Sequence, residues 1–554
     1  MRYLLFILFI GSTACAQPLS DTQKLSSLCH IWGFLKYYHP AVATGKLDWD
    51  QRLIELLPAV QQAQNRAQLS ALYDQLLTGL GPVKPCRKCL AEADLPMAHR
   101  RNLDMAFLAD STTLTTAVRE RLMYLKDNRN QGANYYVQQV KGINNTTFEN
   151  EKAYADMPLP DEAYRLLALF RYWNIIHYFF PYKYAIDSNW SDVLTKLIPV
   201  FRQADTEQRY QHSLYQLVAT IQDSHGFIET VDKSRCLRCD LGTYWLPITI
   251  QLLDNKAIIT QLHANSATLP RAIKVGTVIS KVDGIAIKER IDILRNTTVA
   301  SSEATLLRDI RHLICVGTTR QATLTITQNG QDTVVAMSRF LYSELDRKYA
   351  ASSKAPTPVS KWLTDSIGYV NMGVLTSPRV DSVMKPLLTA KTIIFDLRNY
   401  PKGTYWLVKR YLTGQPTTFA RFTGPDLRFP GVFSDVGSSE LPGPVGKRFM
   451  GRVIVLVNEE TQSHAEFTAM AFRTYSNTVL VGSPTAGADG NISWVPLPGG
   501  YRTAFSGIGV YYPDGRETQR IGIVPDVLVR PTAAGIGAGR DEVLERAVEL
   551  ASRR

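Results

Sequence analysis

VIVLVNEETQSHAEFTAMAF, residues 453–472, is the stretch from which the rest of the chain can be read. Five consecutive aliphatic residues (Val453–Val457) predict a buried strand, NEETQ a polar turn, and HAEFTAMAF an amphipathic helix. Ser463 stands at the start of that helix. A serine there can be a plain N-cap, its oxygen taking a free amide of the first turn. The same place suits a nucleophile, because the following amide and the helix dipole favour a developing oxyanion. Outward from this stretch, IGYVNMG (367–373), TIIFDLR (392–398) and TVLVGS (478–483) also read as buried strands with helices between them, which predicts a mixed α/β core. GRDEVLERAVELASRR predicts a terminal helix capped by Asp541.

Upstream the texture changes. Short alternating strands LPITIQLLD, KAIITQLH, GTVISKVDG and QATLTITQNG run between about 243 and 340, punctuated by Gly276 and the Asp283-Gly284 turn, with a helical stretch SEATLLRDIRHLI. This spacing resembles a PDZ domain, a module that adds a peptide strand to its sheet edge. An unrelated small β-rich insert is the alternative.

The N-terminal part contains an internal repeat. LCHIWGFLKYYHPAVATGKLDWDQRLIELLPAV, from Leu28, matches LFRYWNIIHYFFPYKYAIDSNWSDVLTKLIPVF, from Leu169. Trp32 pairs with Trp173, Pro40 with Pro181, Trp49 with Trp190 and Pro58 with Pro199, each offset by 141 (173 minus 32). Both copies predict a helix broken by proline and followed by a second amphipathic helix, so duplication of a helical unit is expected. The copies diverge afterwards. The second continues LYQLVATIQDSHGFIETV, whereas LYDQLLTGLGPVKPC of the first has no histidine.

At 554 residues the chain exceeds one hydrophobic core and predicts several domains. A net charge of +12 with scattered lysines and arginines gives no nucleic-acid footprint. Arg2, the apolar run Tyr3–Gly11 and the small-x-small site Ala14-Cys15-Ala16 predict a secretory signal cleaved after Ala16, hence a periplasmic or extracellular protein. Lipidation at Cys15 is the rival reading, disfavoured by Ser12 where a lipobox carries a large aliphatic residue. No other stretch is long and apolar enough to span a membrane. Two CxxC pairs, Cys86/Cys89 and Cys236/Cys239, fit short disulfides in an oxidising compartment, a shared structural zinc site, or a redox motif.

NEETQSHAEF followed by VGSPTAGADG, with FDLRNYPKG and IGIVPDV elsewhere in the core, resembles the tail-specific (C-terminal-processing) serine protease family. In that pattern the nucleophilic serine lies three residues before a glutamate, as Ser463 does before Glu466. The resemblance implies a multidomain α+β protein: signal 1–16, helical repeat 17–99, a linking element 100–160, a second helical repeat 161–242, a PDZ-like domain 243–340, and an α/β protease core of the ClpP/crotonase-like type over 341–554. Many members use a Ser-Lys dyad, but Ala488 stands at the lysine position. The chain instead resembles the tricorn-core branch, where a histidine in a DSH-type motif is the base. IQDSHGF supplies His225. The resemblance further implies a relay of Ser224 with an acidic residue near the last strand, for which Glu517 is favoured over the aligned Gln519, and an oxyanion hole of the His464 amide with one from the NYPKG loop, Gly403 being the candidate. It implies hydrolysis of peptides or unfolded proteins, without a required cofactor, in a protein that can form oligomers. A noncatalytic peptide- or ligand-binding protein on the same scaffold is the alternative. A zinc hydrolase lacks support because no HExxH pair occurs.

Overall fold

In the computed structural model, residues 18–263, 269–328, 330–345, 358–412, 415–443 and 446–553 are described. The expected signal segment 1–16, with Cys15, lies outside them. The chain divides into two compact units, one of residues to 94 with 104–135, the other of 95–103 with 136 onward. Of the stretch expected to link the helical repeats, 104–135 therefore belongs to the first unit and 136–160 to the second.

The first unit is built around helix Asp21–Tyr38, of which nearly every residue after the first turn is buried. A helix apolar on all sides is stable only as a centre around which others pack. Helices Trp49–Gln62 and Arg66–Gly79 follow it. The second unit opens in the same way, with the buried helix Glu162–Phe179 and then Trp190–Arg202 and Glu207–Ala219. One bonding pattern occurs in both. The Trp32 indole donates to the Trp49 carbonyl at 2.8 Å and the Trp49 indole to the Trp32 carbonyl at 3.0 Å. Trp173 and Trp190 exchange the same two bonds at 2.8 and 3.1 Å. Each indole thus buries its ring and satisfies its one donor at a single place.

After these helices the second unit forms a β-rich part and an α/β core. In the β-rich part the strands run Gln331–Ser338, Gln321–Gln328, Val278–Val282, Lys256–Leu262 and Ile248–Leu253 across one sheet, and Ile285–Ala286 pairs on Val278–Val282. Helices Ile287–Arg295 and Glu303–Ile310 turn their apolar faces into its core. The α/β core is a six-stranded sheet in the order Ser360–Thr364, Ile367–Asn371, Thr392–Asp396, Arg452–Val457, Thr478–Gly482, Val527–Leu528. Only its first pair is antiparallel. Strands buried on both faces need aliphatic residues at every position, which is why they read as unbroken runs. The fold is thus the mixed α/β arrangement expected of the core. Asp541 caps the terminal helix Glu542–Ser552 as expected, accepting the Leu544 amide at 3.0 Å.

Loops leaving the carboxyl ends of parallel strands converge, and ligand sites of such sheets form there. Three of them matter below: those after Asp396, Val457 and Gly482. Gly482 has φ +138°, and a Cβ on it would lie 1.9 Å from the Val457 carbonyl oxygen. Gly482→Ala is therefore expected to lower stability by about 2 kcal/mol or more, read as a drop in urea midpoint without a change in slope.

Candidate active site

Ser463 joins strand Arg452–Val457 to helix His464–Arg473, and its backbone holds φ +56°, ψ −119°. That conformation is costly for any residue with a Cβ and survives only where the surroundings dictate it. It is also the sharp strand-to-helix elbow that thrusts a serine hydroxyl clear of its sheet. Two acceptors share the Ser463 amide, the Ala488 carbonyl at 3.0 Å and Glu466 Oε2 at 3.0 Å. Glu466 is wholly buried and gathers further donors: Thr485 Oγ1 at 2.5 Å and the amides of Gly487 and Ala488 at 2.7 and 3.1 Å. One carboxylate therefore fixes both the elbow and the loop 485–488. Burial pushes its pKa up, opposed by these donors.

His225 lies in the loop after helix Glu207–Ala219 and is 8% exposed. Its Nδ1 is 2.8 Å from Ser506 Oγ, and Ser506 Oγ is 3.0 Å from Asp223 Oδ1. Asp223, with no exposed surface, also accepts the Ser506 amide at 2.6 Å, the His225 amide at 3.2 Å and Gln519 Nε2 at 3.3 Å. The direction of the chain of bonds follows from chemistry. A carboxylate only accepts, so the Ser506 hydroxyl donates to Asp223 and its oxygen must accept from Nδ1–H. The tautomer assigned in this way leaves the lone pair on Nε2. Burial lowers the imidazole pKa below the usual histidine range, the nearby Arg308 lowers it further, and Asp223 works against both.

Gln462 ties the two segments together, its Nε2 donating to the Ser224 carbonyl at 3.0 Å. Ser224 is otherwise engaged with the β-rich part: its amide donates to Ser301 Oγ at 2.7 Å, and its hydroxyl accepts the Ser301 amide at 2.8 Å. From helix Glu303–Ile310, Arg308 donates to the Glu459 carbonyl at 2.7 Å, and just beyond it Arg311 pairs with Glu460 at 2.6 Å. Ser463 and His225 line one cavity of about 830 Å³, walled on its apolar side by Phe422, Val436, Phe467, Ile508 and Val510. No lysine is among the described residues that line it. Lys409, whose ammonium burial pushes down to about 7, does not reach it either.

The other expected residues distribute unevenly. His464 follows Ser463 and its amide, in the first turn, has no acceptor among the described residues. Gly403, at φ +69°, lies beside it, since a Cβ there would be 3.8 Å from His464 Nε2. Gln519 reaches the relay through Asp223. Glu517 does not: its carboxylate is bound to Arg101 at 2.6 Å. The alternation of faces that would have put Glu517 and Gln519 side by side requires a strand, but 518–521 is a turn with Arg520 at φ +61°. Ser224 points its hydroxyl at Ser301 and not at His225. The residue in contact with Nδ1 is Ser506, which no motif marks. It sits at the end of strand Tyr501–Ser506, brought there by pairing with Glu229–Thr230 just after the histidine. Asp223 belongs to the DSH-type motif of the sequence, two residues before His225.

Cys86–Cys89 and Cys236–Cys239 are each disulfide-bonded, with Cα separations of 5.6 and 5.8 Å. Among the described residues no cluster of three or more His, Cys, Asp or Glu side chains is placed to hold a metal, and no helix is long and apolar enough to cross a membrane.

Residues 366–529, the span that contains the elbow, Glu466, Ser506 and Gln519, match the model of peptidase family S41. Over that span the chain is similar to family S41 peptidases. No curated protein gives a sequence match to the chain. Among solved structures, mature CPAF complexed with lactacystin superposes with a TM-score of 0.54 at 13% identity, over 70% of this chain and 98% of the other. Mature CPAF alone gives 0.55 at 13% identity, over 70% and 96%. At such identity these two show a shared fold, and the S41 match carries the assignment to a serine peptidase family.

Glu466→Gln is expected to destabilise the protein by about 2–4 kcal/mol, because an amide turns donor toward donors in a buried place. Guanidinium unfolding measures it, and an unchanged midpoint would remove Glu466 from its organising role.

Proposed function

We propose that the protein is an exported serine endopeptidase acting through a Ser-His pair, with Ser463 as nucleophile and His225 as general base. The observation that carries this reading is the directed chain Asp223–Ser506–His225, ending on a free Nε2 lone pair in the cavity that Ser463 also lines. A serine hydroxyl needs such a base, because alone it is a weak nucleophile near neutrality. In the acylation step Ser463 Oγ bonds to the scissile carbonyl carbon while Nε2 takes its proton. The carbonyl π pair moves onto oxygen, which the His464 amide and the Gly403 loop receive. When the tetrahedral adduct collapses, the C–N bond breaks and Nε2 returns the proton to the leaving amine. Water then repeats the sequence on the ester. Asp223 takes up no proton in this scheme; through Ser506 it holds the ring and steadies the imidazolium.

The site residues are accordingly Ser463, His225, Ser506 and Asp223, supported by Gln519, with His464 and Gly403 as oxyanion donors. Ser224 positions the histidine loop, and Glu517 has no part in the relay. We also take the β-rich part as a PDZ-like module and the two helical units as a duplication. The sheet with its two helices supports the first, and the matched tryptophan bonds support the second. The two disulfides agree with an oxidising compartment. Peptides or unfolded proteins are the substrates, and the noncatalytic alternative stands only if the serine proves inert.

Fluorophosphonate labelling and cleavage of an unfolded protein test the reading. Wild type should label and cut, whereas Ser463→Ala and His225→Ala should lose activity by about 10⁴-fold or more. Wild type that neither labels nor cuts would hand the scaffold to the binding-protein alternative. Ser506→Ala is expected to cost about 100-fold in kcat while leaving the fold intact. Because activity needs neutral His225, and burial favours that form, the acid limb of kcat/KM should fall below about pH 6.5. A limb above that value would contradict the burial argument.

A further inference from the structure

Behind the Ser463 elbow the loop that fixes it continues into a carboxylate the mechanism does not use. Asp489 is 4% exposed and lines the same cavity as Ser463 and His225. Its backbone position is set by its neighbour, since the Ala488 carbonyl accepts the Ser463 amide. Its Oδ1 takes the Gly490 amide at 2.7 Å, but Oδ2 is buried and has no hydrogen-bond partner among the described residues. An unpaired buried carboxyl is expensive unless something that binds completes it. Glu466, the neighbouring acid, is already saturated by four donors. The one guanidinium among the described residues that line the cavity, Arg308, is committed to Asp309 at 2.7 and 2.9 Å and to the Glu459 carbonyl. Among the described residues of the cavity lining, no Lys or Arg is therefore left for Oδ2.

The walls define what would reach it. Gly490 is packed against Ile508 and Val510, and these with Phe422, Val436 and Phe467 line the cavity alongside Asp489, so the carboxyl shares it with apolar walls. A side chain with an aliphatic stem and a charged tip suits that combination, because the stem covers apolar surface while the tip finds its counter-ion. We propose that Asp489 determines specificity by binding the cationic side chain, lysine or arginine, of a substrate residue flanking the scissile bond. This rests on the peptidase reading above. Burial, with the charge of Glu466 adding to it, raises the Asp489 pKa well above the usual carboxylate range.

Calorimetric titration of the whole protein with benzamidine and with its neutral isostere benzamide tests the proposal. Benzamidine should bind about 30-fold more tightly, and Asp489→Asn should abolish the difference. Wild type alone gives a second reading that needs no variant: benzamidine, and not benzamide, should slow fluorophosphonate labelling of Ser463. Equal binding of the two compounds overturns the proposal, as does a preference that survives Asp489→Asn in a folded protein, or labelling indifferent to benzamidine. A protein that prefers benzamidine through Asp489 yet never labels would retain the cation site and refute the peptidase reading, so the two failures are distinct.

Discussion

Asp223 accepts the amide and hydroxyl of Ser506 across 283 residues of sequence while holding the His225 amide two residues away. Taking a carboxylate wholly out of water costs several kcal/mol, and only a nearly complete set of donors offsets it. That set exists only when the histidine loop, the end of strand Tyr501–Ser506 and the 518–521 turn are all in place. The candidate site is thus conditional on the closed fold: no single segment of the chain can assemble it, and a partly folded chain has no oriented base.

Glu466 does the same for the other half. It is the hub from which the Ser463 elbow and the loop 485–488 hang, and a positive-φ serine is tolerable because that hub and the Ala488 carbonyl both grip its amide. Between the two buried acids runs the Gln462–Ser224 bond, and over both lies the β-rich part through Ser301, Arg308 and Arg311. These contacts tie helix Glu303–Ile310 and its neighbours to the loops that carry Ser463 and His225.

Much of this was legible in the sequence, for reasons that can be named. Parallel strands buried on both faces announce themselves as aliphatic runs, so Ile367–Asn371, Thr392–Asp396, Arg452–Val457 and Thr478–Gly482 were found where expected. Ser463 and His225 stand out in the sequence because local motifs surround them. Ser506 was missed because a hydroxyl at a strand end has no local signature; only the pairing of Tyr501 with Thr230 reveals it. Glu517 was favoured for its charge, on the assumption of an extended segment. The structure instead turns at 518–521, sending Glu517 to Arg101 and Gln519 to Asp223. A neutral amide suffices there because Gln519 has only to donate, and the negative charge it supports already belongs to Asp223.

Under the proposed Ser-His mechanism, a histidine base in place of a lysine has a structural logic. At Ala488, where relatives of the Ser-Lys type carry their base, the backbone is doubly engaged: its amide donates to Glu466 and its carbonyl accepts from Ser463. The methyl group is fully buried. A loop pinned on both sides of one residue serves as scaffold for the elbow, and a long cationic side chain there would have to displace the packing that does the pinning. In the proposed mechanism the base therefore comes from a different segment. It brings its own buried acid, and Ser506 is the connector that this separation requires.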